Sequence, residues 1–419
     1  MPGLLARHRE ASLSDILRAA TAWELQSMLA PYIEKKTPIE VIGSGSKARI
    51  GRPMQTAATI STASMHGIWM YEPTELVMSA HGGTPLVQIE AALAGNNQML
   101  AFEPTDIGPT SGGARGTQTI GSVFACNVSG SRRIAIGAAR DHLLGIEGVS
   151  GRGELFRAGG RVMKNVTGYD LCRGIAGSWG TLAILTEVTF KVLPAPEKTA
   201  TLVYPDLPDD IGVELMCAAM RLPYEVCGTV HLPKNVAGRL EHSALADLGQ
   251  AVTALRIENF EKSVDYRTQA MREALKVYGD PLVIGSMNSL EFWGELRRLS
   301  VIPYDEATCL WRISTAPMMG PKVVASIRRH MPAEVMYDWS GGLVWIEVPA
   351  SADAGSSDIR RAVAVHGGHA TLIRADASVR GSVEVFQPQS PLAERLTGGL
   401  KSVFDPMRML NPGRMYANL

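Results

Sequence analysis

The stretch Thr37-Pro38-Ile39-Glu40-Val41-Ile42-Gly43-Ser44-Gly45-Ser46-Lys47-Ala48-Arg49-Ile50-Gly51-Arg52-Pro53 decides how this chain is read. A short apolar run passes straight into a turn of small residues, and Gly43 to Ala48 fits the loose dinucleotide fingerprint G-x-G-x-x-A. That fingerprint works only when a helix follows at once and an acid ~20 residues further on holds the ribose. Here Gly51-Arg52-Pro53 breaks any helix, and no Asp or Glu occurs between Gly43 and Tyr71. Lys47 also lacks the glycine spacing and the following Ser or Thr of a Walker loop. Neither a Rossmann fold nor a P-loop is predicted. What remains is local chemistry. Successive small residues expose backbone N–H groups that can turn into one concavity and hold an anion such as a pyrophosphate. An isolated turn of this kind equally serves as a plain strand connection, so its meaning depends on the rest of the chain.

Outward from the loop, an amphipathic helix is predicted over residues 12–35, capped by Ser12 or Ser14 and carrying Ile16, Leu17, Ala20, Trp23, Leu25, Met28 and Leu29. Leu76–His81 reads as a strand, followed by a helix that starts at Gly82-Gly83-Thr84-Pro85 and stops at Gly95-Asn96-Asn97. Residues 103–170 are rich in Gly, Ser and Thr, yet Val123-Phe124-Ala125-Cys126 and Leu143–Val149 are apolar. A long loop region with such anchors is functional rather than disordered. Gly180 to Leu193 reads as a long strand or strand pair, and Pro194-Ala195-Pro196-Glu197 as a domain boundary. Beyond it, strands are predicted at Thr201–Tyr204, Gly228–Leu232, Thr253–Glu258, Cys309–Ser314, Leu343–Val348 and Ala370–Arg374. They alternate with helices at 210–221, 262–278, 289–299, 322–331 and 357–366, an α+β layer. A last helix over 391–403 leads into the tail Asn411-Pro412-Gly413-Arg414-Met415-Tyr416.

Composition narrows the classes. Lys plus Arg equals Asp plus Glu at 41 each, so the overall balance gives no nucleic-acid or anionic-membrane footprint. Glycine accounts for 42 of 419 residues, above the ~7% average, and crowds into the first half. Close approach of backbone to something is implied. The five cysteines (Cys126, Cys172, Cys217, Cys227, Cys309) contain no C-x-x-C pair, which predicts neither an iron–sulfur cluster nor a structural zinc here. They fit a reduced cytoplasmic protein. No stretch reaches ~18 uninterrupted apolar residues and the N-terminus lacks a signal-peptide pattern, so no membrane span is expected. Any peripheral contact with the inner membrane would be made through partners.

The segments Gly43–Lys47, Glu103-Pro104-Thr105, Thr119-Ile120-Gly121-Ser122, Ala139-Arg140-Asp141-His142-Leu143-Leu144-Gly145, Gly151-Arg152-Gly153-Glu154, Val162 to Asp170 (VMKNVTGYD) and Gly177 to Ile184 (GSWGTLAI) occur in the order of one known arrangement. The chain resembles the FAD-binding domain of the vanillyl-alcohol-oxidase/PCMH flavoproteins. Its KNVTGYD and GSWGTLAILTEVTFKVLP blocks and its NPGRMY tail are most similar to the FAD-binding subunits of glycolate oxidases. The resemblance implies an α+β fold: a PCMH-type two-subdomain FAD-binding domain over 1–195, then a cap domain with a mainly antiparallel sheet over 196–390. A C-terminal helix and tail, 391–419, would return to the FAD domain. By position, Gly43, Ser44, Gly45, Ser46 and Lys47 would carry the pyrophosphate of FAD, with Thr119, Ile120, Gly121 and Ser122 as the second wall. Pro104 joins the cofactor-binding set. Asn127, Ser129 and Gly130 would lie near the ring or ribityl chain, Asn165, Thr167 and Tyr169 beside the flavin, and Ala183 and Ile184 would meet it through main-chain bonds. For Thr167 to Asp170, a tyrosine on a turn with Asp170 capping the next helix is the plainer alternative.

Departures from the family pattern matter. The loop carries no His or Cys for a covalent flavin link, so non-covalent FAD is expected. Related 2-hydroxy-acid dehydrogenases carry H-x-G-D-G-N-x-H and E-H-G motifs, and neither occurs here. His366-Gly367-Gly368-His369 reads as a helix end and turn rather than a metal site, and no metal is expected. His142 reads as a buried, satisfied histidine. The implied function is oxidation of glycolate to glyoxylate within a complex containing a second flavin subunit and an iron–sulfur subunit, with a small 2-hydroxy acid as substrate. Arg312 and Arg374, both on predicted cap strands, are the candidates for holding the substrate carboxylate, against the alternative of a surface or interdomain salt bridge. No catalytic base can be named. A non-catalytic or electron-relay FAD subunit, and a stand-alone flavin-dependent alcohol oxidase, remain open.

Overall fold

The computed structural model describes residues 16–161 and 169–419. The first sheet is small and parallel. Ile39–Ile42 pairs with Ala58–Ser61, which pairs in turn with Ile16–Arg18. Ile16 and Leu17 therefore belong to a strand and not to the helix predicted over 12–35, while Ser12 and Ser14 lie outside the described residues. The helix runs over Ala22–Glu34 and is capped by Thr21, whose hydroxyl accepts from the Glu24 N–H at 3.1 Å. Short β-branched segments next to an amphipathic helix are easily absorbed into its pattern, and the sheet partner that separates them is some forty residues away in sequence.

The second sheet is antiparallel, in the order Ile68–Glu72, Val77–His81, Ala183–Lys191, Leu143–Ser150, Leu155–Gly159. Its central strand, Ala183–Lys191, is buried or half-buried along its whole length, in line with its mostly β-branched and apolar sequence. Helix Leu86–Ala94 and helix Ile120–Cys126 pack their apolar sides (Ile89, Leu93, Val123, Phe124) against it. Within the glycine-rich region, Val123 to Cys126 is thus helical and Leu143 to Val149 is strand.

The second half forms one eight-stranded antiparallel sheet with strands in the order 282–284, 198–205, 252–259, 228–232, 334–338, 343–349, 308–314 and 369–374. All six predicted strands are present. Two were not anticipated: Leu282–Ile284, a three-residue edge, and Glu334–Asp338, a central strand with an acid at each end that hides its period. Register shows that the two faces differ in chemistry. Arg312 lies opposite Trp345 and Thr371, Trp345 opposite Met336, and Asp338 two residues on, so these share one face. Arg256 and Glu258 lie on the same face through the pairing of Val230 with Asp338 and Ala254. The opposite face carries Leu255, Ile257, Trp311, Ile313, Val344 and Ile346, all buried. It is covered by helices Asp209–Met220, Glu261–Ala274, Gly320–Arg328 and Ser356–His366.

The polar face meets the first half. Glu103 accepts from Arg256 at 2.7 and 2.8 Å, and Arg132 bonds Glu258 through Nε at 2.8 Å. Ser131 donates to Asp338 at 2.7 Å, and Trp339 Nε1 donates to the Gly130 carbonyl at 3.0 Å. Burial disfavours the Glu103 carboxylate, but Arg256 and Arg132 together win and hold its pKa down to about 2. Asp338 makes no ion pair among the described residues, and burial pushes its carboxyl up to about 7. A folded-state pKa above the unfolded one contributes stability that is complete in acid and lost as pH rises toward 7. At ~1.4 kcal/mol per pKa unit the loss is a few kcal/mol. Asp338→Asn, which can keep both contacts, is therefore expected to be more stable than wild type at pH 8, with the gain vanishing only below about pH 4, where the unfolded carboxyl is protonated too. Urea unfolding at the two pH values reads this directly, and equal effects at both would contradict it.

Candidate cofactor cleft

Strand Ile39–Ile42 delivers the chain into a turn at Gly43 to Lys47, and helix Ile120–Cys126 points its N-terminus at that turn. The contact is close. A Cβ on Gly43 would sit 2.5 Å from Thr119 Oγ1, the same hydroxyl that caps the helix by accepting from the Ser122 N–H at 3.4 Å. Gly45 has φ +85°, a left-handed conformation that side chains resist, and a Cβ there would meet only Ile42 Cδ1 at 3.8 Å. The space beside it is an open cleft. Its walls are residues 41–48, Gly121 and Ser122 of the helix start, Ala183 and Ile184 at the head of the central strand, Trp179, and Arg414 from the tail.

The cleft suits an anion. Among the described residues, the backbone N–H groups of Ser44, Gly45, Ser46 and Lys47 have no hydrogen-bond acceptor. Two cations are buried in its wall, Lys47 at 4% exposure and Arg414 at 5%. Among the described residues no carboxylate comes within ion-pair distance of either. Lys47 Nζ donates instead to neutral oxygens, Gln118 Oε1 at 3.2 Å and Ser122 Oγ at 3.1 Å. Burial lowers the pKa of both cations. Arg414 Nη2 donates to the Lys47 carbonyl at 2.8 Å, and its Nε is buried without a partner. Unpaired buried cations are costly until an anion arrives. The donor set of four amides, one ammonium and one guanidinium therefore fits a diphosphate bridged between sugar and nucleotide.

Not every anticipated residue lines this cleft. Gly43, Ser44, Gly45, Ser46, Lys47, Gly121, Ser122, Ala183 and Ile184 do. Thr119 supports Gly43 from behind, and the Ile120 side chain is in the hydrophobic core. Pro104, Asn127, Ser129 and Gly130 are not among the cleft's lining residues, and of these Pro104 and Gly130 bond residues of the second half. The Pro104 carbonyl accepts from Arg297, Asn127 accepts from the Arg140 N–H, and Ser129 Oγ accepts from the Ala139 N–H. Asn165 and Thr167 lie outside the described residues. Tyr169 is 94% exposed and away from the cleft lining, while Asp170 caps helix Leu171–Ile175 through the Arg173 N–H, as the plainer alternative had it. His142 is buried but only half satisfied: Nε2 meets the Ile136 carbonyl at 3.1 Å and Nδ1 has no partner.

Thr62, Cys126, Trp179 and Arg414 were not anticipated. Arg414 is within reach of sequence, since it belongs to the NPGRMY tail. Asn411 of the same tail bonds Val41 in both directions and the Trp179 carbonyl at 2.9 Å, fixing the tail to both walls. Of the two candidate arginines, Arg374 is committed. It pairs with Glu347 of the same sheet at 2.6 Å and donates to the carbonyls of Thr110, Pro303 and Thr308 at 2.9 to 3.2 Å, so its ion pair lies within the second half and it reaches the first half only through the Thr110 carbonyl. Arg312 is not.

Comparison with known proteins agrees with this geometry. The FAD binding domain family matches residues 14–159. Solved structures of similar fold include p-cresol methylhydroxylase with substrate bound (TM-score 0.70, 16% identity, 96% of this chain and 88% of that one). A 4-ethylphenol oxidase from Gulosibacter chungangensis gives TM-score 0.72 at 15% identity, over 96% of this chain and 89% of that one. The fold is thus that of the PCMH-like FAD-linked oxidoreductases, and FAD is the cofactor. Among curated relatives, glycolate oxidase subunit GlcE of Escherichia coli K12 is 37% identical over 92% of this chain and 95% of its own length. Glycolate oxidase subunit GlcD of Bacillus subtilis is 32% identical over 43% of this chain and 37% of its own. The chain belongs to the glycolate oxidase GlcE family. Among the described residues no helix is long and apolar enough to cross a membrane.

Proposed function

We propose that this chain is the FAD-carrying subunit of a cytoplasmic complex that oxidises glycolate to glyoxylate, working with a second flavin subunit and an iron–sulfur subunit. The observation that carries this is the cleft at Gly43–Lys47, where unpaired amides and two buried cations without carboxylate partners converge. Residues 1–195 would form the FAD domain, 196–390 the cap, and 391–419 the returning tail. FAD supplies an acceptor for the hydride of the substrate's α-carbon. The chain's own part is to grip the diphosphate on Gly43–Lys47, Gly121 and Ser122, with Lys47 and Arg414 balancing its charge. Ala183 and Ile184 would present main chain to the bound cofactor. Cys126 is the thiol in the cleft wall, and burial pushes its pKa up, which keeps it a poor nucleophile and favours a non-covalent flavin.

A second reading has support of its own. The sequence lacks the histidine motifs of related 2-hydroxy-acid dehydrogenases, which suits a subunit that relays electrons while its partner oxidises the substrate. Anaerobic addition of glycolate to the purified, FAD-loaded chain separates the two. Rapid bleaching of the flavin by glycolate alone is expected if this chain is catalytic, and bleaching only after partner subunits are added assigns it the relay. A well-folded chain that takes up no FAD would overturn both.

A further inference from the structure

Arg133 and Arg312 come from different halves of the molecule and meet at one ring. The guanidinium carbon of Arg133 is 4.2 Å from the centroid of Trp339, and that of Arg312 is 5.1 Å from it and 5.9 Å from the centroid of Trp345. Among the described residues neither guanidinium has a hydrogen bond or an ion pair. The nearest acid in the field of Arg312 is Asp338, whose oxygens are already taken by Ser131 at 2.7 Å and the Trp339 N–H at 2.6 Å. Burial and the charge of Arg133 lower the Arg312 pKa to about 10. The imidazole of His369, on the neighbouring strand, is likewise pushed toward its neutral form by burial and then by Arg312 and Arg133.

Two like charges held together with no ion-paired acid among the described residues are an unfavourable arrangement that an anion would reverse. Ring contact offsets only ~0.5–2 kcal/mol per cation, and it leaves every N–H of both forks free for a ligand. Trp339 and Trp345 are buried, and the Trp339 ring is held in place by its bond to the Gly130 carbonyl. Arg312 is only partly exposed, on the polar sheet face. Planar guanidinium forks match a planar carboxylate through paired N–H···O bonds.

The geometry points to a carboxylate-binding subsite formed by Arg133 and Arg312 at Trp339, which takes the carboxylate of a small 2-hydroxy acid or of its 2-oxo product. This rests on the proposed function, since Trp339 of the subsite bonds the carbonyl of Gly130, a residue expected near the flavin ring or ribityl chain. It adds a residue from the flavin-binding half, Arg133, that no motif indicated, and it separates Arg312 from the committed Arg374.

The test is calorimetric titration of the FAD-loaded full chain with oxalate and with glycolate, beside Arg133→Gln, Arg312→Gln and Arg312→Lys. Each Gln variant is expected to weaken oxalate binding at least tenfold, with Arg312→Lys in between. Because each Gln variant relieves repulsion, its melting temperature should be equal to or above that of wild type. A purely structural arginine would lower it. Flavin content comes from the visible absorbance of the same samples. Wild type that carries flavin and binds oxalate no better than the Gln variants, or not at all, overturns the subsite. Wild type without flavin that still binds oxalate through both arginines keeps the subsite and overturns the flavin reading. Loss of both flavin and oxalate binding overturns both.

Discussion

Gly45→Val is expected to yield a folded protein that has lost its flavin. The left-handed backbone at this position makes any L side chain cost ~1–2 kcal/mol, which a chain of this size should tolerate. A new Cβ meets no neighbouring atom closer than 3.8 Å, so protein packing is left intact. The added branches extend into the cleft where the amides of residues 44–47 converge. Cofactor affinity should fall by two orders of magnitude or more, because the diphosphate is displaced from several charge-assisted bonds at once, each contributing ~1.5–3 kcal/mol. Visible absorbance per mole of protein and a far-ultraviolet spectrum measured on one sample decide the matter. A variant as yellow as wild type would remove the loop from the cofactor site.

The second large effect belongs to Glu103. Its carboxylate lies between Arg132 and Arg256, which are 9% and 1% exposed, and it joins the two halves of the molecule. Glu103→Gln keeps the shape and removes the charge, leaving both guanidinium groups facing Glu258 alone. Breaking such a buried arrangement costs ~3–5 kcal/mol. Denaturant unfolding at pH 7 is expected to show that loss. Wild type itself should lose the same contribution only in strong acid, because a depressed carboxylate pKa gives stability present at neutral pH and lost as pH falls toward 2. An unchanged midpoint would mean the network is neutral to stability.

Much of the fold was legible because its signals are local. The six strands predicted in the second half and the helices between them carry period-two or period-3.6 patterns, and Gly95 and Pro391 mark helix ends that chemistry alone requires. The glycine loop was legible for a negative reason: a fingerprint without its helix and acid had to mean something else. The illegible parts depend on distant partners. Ile16 and Leu17 are strand residues only because Thr59 and Ile60 lie alongside. Arg312 and Arg374 look alike on their strands, and only Glu347, Thr308 and Thr110 distinguish the committed one from the free one. Arg133 stands in a run of two arginines, and the turn of helix Arg133–Ile136 sends one to Glu258 and the other to Trp339.

Asn411 reaches Val41 across 370 positions of sequence, and Arg414 reaches Lys47 across 367. During synthesis the glycine turn leaves the ribosome long before the segment that closes over it. Nucleotide capture is then a late event of biogenesis, completed only when the far end of the chain has returned to its beginning.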